Sequence, residues 1–198
     1  KNKSVLIRVD FNVPLNNELQ ITDDSRIVAA LPTIKHVLDS GAKIVLISHL
    51  GRPKGVDKTL SLLPVSKKLS KLLDKPVFFL SDCIGENIEQ RIKSGEAGDI
   101  FLLENLRFYK EETKGDYAFS KKLSNLADVY INDAFGTSHR AHASTHGVVE
   151  HFQDEKYCGL LLEKEIINLN KVFNQNNSPS IAIIGGAKIS SKIDVLFS

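Results

Sequence analysis

The chain has 198 residues, 42% of them hydrophobic and 25% charged, with a net charge of +2. That length allows one good domain and part of another, and the fractions are those of an ordinary globule. The small net charge excludes a general polyanion binder, so nucleic acid is not an expected partner. No run is apolar for long enough to span a bilayer and no signal-peptide pattern is present. Cys83 and Cys158 belong to no C-x-x-C pair. The expectation is a cytoplasmic monomer with two reduced structural thiols and no membrane partner.

In chain order, an apolar run at 5–9, broken by Arg8, predicts a strand that opens into Asp10-Phe11-Asn12-Val13-Pro14. Helical periodicity follows at 25–38, with Asp23 and Asp24 placed as N-cap and first-turn residues and Arg26 just inside. The run at 44–47 predicts a buried strand leading into Ser48-His49-Leu50-Gly51-Arg52-Pro53-Lys54-Gly55. A helix at 64–73, a strand at 77–80 and a helix at 85–93 come next. The strand at 100–103 opens into Glu104-Asn105-Leu106-Arg107-Phe108. After a helix at 117–126, the strand at 129–131 opens into Asn132-Asp133-Ala134-Phe135-Gly136-Thr137-Ser138-His139-Arg140-Ala141-His142. Strands alternating with helices predict an α/β fold, a doubly wound, mainly parallel, Rossmann-like sheet in three α/β/α layers.

From Gly159 the pattern becomes one long amphipathic helix, which the turn formers at 174–179 end; a new strand begins at 180–184 and runs into Gly185-Gly186-Ala187-Lys188-Ile189-Ser190-Ser191-Lys192. Strand, glycine pair and helix start form an anion-binding arrangement, with Lys188 and Lys192 on one helix face. It is neither a Walker A loop nor a dinucleotide fingerprint. The expected organisation is a first domain at 1–157, a connecting helix at 158–176 and the start of a second domain at 177–198. With no methionine and an end at Phe197-Ser198 inside a helical pattern, the chain is expected to be a piece of a longer protein.

Ligands of open α/β sheets sit beyond the carboxyl ends of the strands. Four strand ends here carry His49 and Arg52, Arg107, Arg140, or the Asp10/Asn12 pair. Arginine's planar fork stays charged when partly desolvated and pairs bidentately with carboxylate or phosphate, so the expected ligand is a small anion. His139, His142 and His146 have helical spacing, but Arg140 opposes a cation and no thiolate or carboxylate completes a set, so no metal site is expected. Neighbouring cations depress a histidine's pKa, so an imidazole set among arginines is expected to be a neutral donor. No G-x-S-x-G elbow supports a hydrolase.

Taken in order, Arg8-Val9-Asp10-Phe11-Asn12-Val13-Pro14, Ser48 to Pro53, Glu104-Asn105-Leu106-Arg107-Phe108, Asn132 to His142 and Gly185-Gly186-Ala187-Lys188 resemble the phosphoglycerate kinase family over nearly the whole chain. The resemblance implies a two-lobed glycolytic enzyme that moves a phosphoryl group reversibly from 1,3-bisphosphoglycerate to ADP, giving 3-phosphoglycerate and ATP. It implies that Asp10 and Asn12 take the hydroxyl and carboxyl end, with Phe11, Leu50 and Gly51 also at the substrate. By the same resemblance His49, Arg52, Arg107 and Arg140 hold the non-transferred phosphate, and Arg8, His139 and His142 complete a basic patch. Arg26 and Lys188 are the implied catalytic residues, and Gly186, Lys188 and Lys192 the implied nucleotide contacts. Mg2+ with ATP or ADP would be bound by a lobe beyond Ser198, so this piece should be inactive alone. Ser191 departs from the acidic residue many members carry before the second lysine. The competing reading is a non-catalytic α/β module that binds a small phosphorylated acid.

Overall fold

The computed structural model describes residues 3–173. Six strands form one all-parallel sheet: β1 (Ser4–Arg8), β2 (Lys43–Ile47), β3 (Val77–Leu80), β4 (Ile100–Leu103), β5 (Val129–Asn132) and β6 (Lys156–Cys158), in the order β3-β4-β2-β1-β5-β6. The helices are α1 (Ser25–Asp39), α2 (Leu63–Leu73), α3 (Glu86–Lys93), α4 (Lys110–Lys114), α5 (Tyr117–Ser124) and α6 (Leu160–Phe173). The chain divides into two compact units, Lys1–Glu165 and Ile166–Ser198; the sheet and α1–α5 lie in the first. The expected strand at 180–184 and the segment from Gly185 to Lys192 lie outside the described residues.

Apart from Arg8 and Asn132 at their ends and Ser4 and Lys43 at their starts, β1–β5 are apolar on both faces because both faces are covered. Alternation sends Val5, Ile7, Ile44, Leu46, Ile100 and Leu102 into one core with Ile27, Ile34 and Val37 of α1 and Val65 and Leu69 of α2. Leu6, Val45, Ile47, Phe101 and Leu103 enter the other, against Ile88 and Ile92 of α3 and Phe119 and Leu123 of α5. The three-layer expectation is borne out. No helix among the described residues is long and apolar enough to cross a membrane.

Differences from the sequence reading have local causes. β6 and α4 were not expected: β6 is three exposed residues, Lys156-Tyr157-Cys158, with no apolar signature, and α4 is a five-residue charged turn. Asp24 occupies the N-cap of α1 but its carboxylate makes no cap bond; it pairs instead with Lys68 at 2.7 Å. Asp23 accepts from the Ser25 N–H at 2.9 Å, before the helix begins. Pro32 stands inside α1 without ending it. Cys83 is a buried thiol that donates to the Glu104 carbonyl at 2.9 Å, and Cys158 is an exposed free thiol.

Candidate anion-binding site

The four loop-bearing strands β4, β2, β1 and β5 are consecutive in the sheet. Because all run parallel, their carboxyl ends meet along one edge, and the loops, far apart in sequence, surround one cavity of about 270 Å³. Its lining comprises Asp10, Asn12, Arg26, His49, Gly51, Arg52, Arg107, Gly136, Thr137 and Arg140. A larger cavity of about 540 Å³ shares Arg52, Arg107 and Arg140 and adds Lys54, Lys110 and His142.

Polar side chains hold the loops in shape. The Ser48 hydroxyl accepts from the Phe11 N–H at 2.9 Å, tying the β1 end to the β2 end. Asn12 Oδ1 accepts from the Gly51 N–H at 2.8 Å, where Gly51 adopts φ +64°, a left-handed conformation that glycine takes without strain. Asn105 donates to the Leu50 and Leu60 carbonyls at 2.7 and 2.9 Å and accepts from the Leu50 N–H at 3.2 Å and the Arg107 N–H at 3.1 Å, so its side chain is satisfied and structural. Glu104 accepts from the Ser61 hydroxyl at 2.7 Å, the Leu62 N–H at 2.9 Å and the Asn105 N–H at 2.8 Å. These bonds fix the loops to one another.

Among the described residues, Arg52, Arg107 and Arg140 have no carboxylate partner, and only Arg26 is paired. Arg107 is only 9% exposed, yet among the described residues no carboxylate pairs with it: one Nη donates to the Gly51 carbonyl at 2.7 Å and Nε has no partner. Burial, followed by Arg140 and Arg8, pushes its pKa down. Arg26 forms an ion pair with Asp10, which carries its guanidinium to the cavity from α1. Arg140 is exposed, and its Nε donates to His139 Nε2 at 3.2 Å. Four guanidiniums, Arg26, Arg52, Arg107 and Arg140, line this space and among the described residues only Arg26 has a carboxylate partner, so their convergence costs energy unless an anion sits among them.

His49 is buried and its pKa falls to about 2, through desolvation first and then the Arg8 and Arg107 charges. It is therefore a neutral imidazole throughout the physiological range. His142 is also pushed down by burial, with Glu112 opposing; its Nδ1 lies 3.7 Å from Glu112 Oε1 and makes no hydrogen bond.

Of the residues expected from sequence, Asp10, Asn12, Arg26, His49, Gly51, Arg52, Arg107 and Arg140 meet at the smaller cavity and His142 at the larger. Phe11 and Leu50 are core side chains at 0% and 2% exposure. Arg8 is fully buried and His139 exposed, and neither lines either cavity. Gly186, Lys188 and Lys192 lie outside the described residues. Sequence reasoning missed the lining role of Gly136 and Thr137, and missed Glu112 and Ser144, whose partners are far away in the chain.

Comparison with known proteins agrees with this geometry. The family model described as phosphoglycerate kinase matches residues 1–198. A phosphoglycerate kinase of Dictyoglomus turgidum is 57% identical over 196 residues, covering 99% of this chain and 49% of that protein. One from Chlorobium phaeovibrioides is 53% identical over 197 residues, with the same shares covered. Among solved structures, the Pyrococcus horikoshii phosphoglycerate kinase superposes with a TM-score of 0.90 at 37% identity, covering 98% of this chain and 49% of that one. The Coxiella burnetii enzyme gives 0.84 at 40% identity, covering 99% and 49%. The chain thus spans about half the length of the curated relatives it matches. With a parallel sheet whose four central strand ends enclose a cationic cavity, and a sequence match that runs from its first residue to its last, this chain belongs to the phosphoglycerate kinase family.

Proposed function

We propose that this chain carries the phosphoglycerate-binding half of a phosphoglycerate kinase, which transfers a phosphoryl group reversibly between 1,3-bisphosphoglycerate and ADP. The observation that carries the reading is Arg107, a buried guanidinium with an unpartnered Nε beside a cavity it shares with Arg52 and Arg140. A dianionic phosphate supplies the charge and the acceptors that these groups lack. Residues 1–157 form the phosphoglycerate domain in this reading, 158–176 the connecting helix and 177–198 the start of a nucleotide domain.

Arg52, Arg107, Arg140 and His49 hold the phosphate that is not transferred. Asp10 and Asn12 take the hydroxyl and carboxyl end, and Arg26, aimed by Asp10, sits at the reacting carboxylate. In the direction of ATP use, a carboxylate oxygen attacks the terminal phosphorus. The new P–O bond forms as the bond to the ADP oxygen breaks, and that oxygen keeps the electron pair. The nucleophile is already an anion, so no general base is required, and the work of this half is orientation and charge. Mg2+ with ATP or ADP, Lys188 and Lys192 belong in this reading to the nucleotide side.

Titration calorimetry tests the proposal. 3-Phosphoglycerate should bind the chain, glycerate should bind at least tenfold more weakly, and affinity should fall as salt rises. Equal binding of glycerate would reject the phosphate assignment.

A further inference from the structure

Arg8 interrupts an apolar strand at the centre of the sheet, is fully buried, and lines neither cavity. Each of its three guanidinium nitrogens has a partner within the protein. Nε donates to the Ser144 hydroxyl at 2.9 Å, one Nη donates to the Val9 carbonyl, and the other meets His49 Nδ1 at 3.0 Å. The Ser144 hydroxyl accepts from Arg8 and passes its own proton toward Glu112 Oε1 at 2.6 Å, while the Ser144 N–H donates to Glu112 Oε2 at 3.0 Å. Glu112 is at 0% exposure, so a buried carboxylate balances a buried guanidinium through one hydroxyl. Tyr130 donates to the Ser144 carbonyl at 2.8 Å and fixes that end of the chain.

The direction of this relay follows from chemistry. A guanidinium has five N–H donors and no lone pair to offer, so in the Arg8–His49 contact the imidazole must accept. Nδ1 is then unprotonated and the ring's single proton resides on Nε2. In a residue that lines the anion cavity, this leaves one N–H donor on the ring edge opposite Arg8. The other tautomer would present a lone pair to an anion and an N–H to a cation, wrong at both ends.

We propose that Arg8 is a positioning residue: through the buried series Glu112, Ser144, Arg8 and His49, it locks the His49 ring as the Nε2–H tautomer that donates to the substrate's phosphate. The ligand half of this inference rests on the phosphate reading above; the tautomer half does not. Arg8 thus acts on the anion through His49 and touches no ligand itself.

Long-range 1H–15N correlation spectra of the ligand-free chain labelled at histidine nitrogens test it directly. His49 should show a protonated Nε2 and an unprotonated Nδ1. In Arg8→Met the ring should become a mixture of tautomers, with 3-phosphoglycerate affinity at least tenfold lower by calorimetry. Should Arg8→Met leave Glu112 uncompensated and unfold the chain, Arg8→Met with Glu112→Gln removes both buried charges and gives the same two readouts. A protonated Nδ1 in the unmodified chain would overturn the proposal. So would an unchanged tautomer in the variant, even with weaker binding, because Arg8 would then be only structural. If the ring behaves as expected while the unmodified chain binds no 3-phosphoglycerate, the tautomer lock stands and the phosphate reading alone fails.

Discussion

Arg107 illustrates how a candidate binding residue strains the protein that carries it. Its guanidinium is buried beside Arg140 and Arg8 with no carboxylate partner among the described residues, so the ligand-free site stores repulsion that a bound anion would relieve. Arg107→Met should leave the ligand-free chain at least as stable in urea melts, while 3-phosphoglycerate affinity falls roughly ten- to a hundredfold, as for a lost charged hydrogen bond worth about 1.5–3 kcal/mol. A marked loss of stability would mean that the bond to the Gly51 carbonyl outweighs the repulsion. His49 leads to a pH prediction. Its folded pKa, about 2, lies below the ordinary 6.5, so the unfolded chain binds the proton first. Stability contributed by the neutral ring is present above about pH 6.5 and is lost as pH falls below it, at up to about 1.4 kcal/mol per unit. His49→Gln should flatten the stability slope between pH 5 and 6.5, measured by urea melts. Arg52, Arg107 and Arg140 were legible in the sequence because each lies in a loop that follows an apolar run, whereas Arg26 follows Asp23-Asp24-Ser25 at a helix start. Glu112 and Ser144 were not, because their importance lies in contacts 32 and 136 residues away along the chain.

At the scale of elements, most boundaries were readable because the strands are short unbroken apolar runs and the helices keep the 3.6-residue period. The start of α6 was readable, its anchor was not. Asp133, at the end of β5, is fully buried, and its Oδ1 accepts from the Leu161 and Leu162 N–H groups at 2.9 and 3.2 Å. The Leu160 N–H donates to Thr33 Oγ1 of α1 at 3.0 Å. Three of the free donors at the helix start are thus satisfied by side chains from two other elements. Asp133→Ala should destabilise the chain by about 1–2 kcal/mol in chemical denaturation. Asp133→Asn, which retains the accepting oxygen and removes a charge that burial already disfavours, should cost less. Gly159 lies so close that an added Cβ would collide with the Asp133 carboxylate, so Gly159→Ala should be more damaging than a substitution in open space such as Gly55→Ala, where nothing lies within 4 Å.

For the molecule as a whole, a net charge of +2 conceals a strong local field. The four central strands gather cations at one edge of the sheet, and the even overall balance gave no sign of it. The fold class was legible from alternation alone, but the adjacency of β4, β2, β1 and β5 was not, because strand order depends on which helices cover which face. Raising salt from 50 to 500 mM should weaken 3-phosphoglycerate binding at least tenfold while leaving, or slightly raising, the stability of the ligand-free chain. Weakened stability in high salt would argue that exposed ion pairs such as Lys3 with Glu155 matter more than the crowded cavity.

The sheet order also sets a timetable for the chain as it is made. β1 is synthesised first yet occupies an inner position, and the pairing of Ser4 with Asp128 spans 124 residues. At translation rates of about 5–20 residues per second, one flank of β1 waits on the order of 6–25 s for β5 to emerge. During that interval Val5, Leu6 and Ile7 border an open row of backbone donors and acceptors, a template for pairing with another nascent chain. Nascent chains arrested before β5 should therefore be cut readily by protease in this region, and those arrested well beyond β6 should resist.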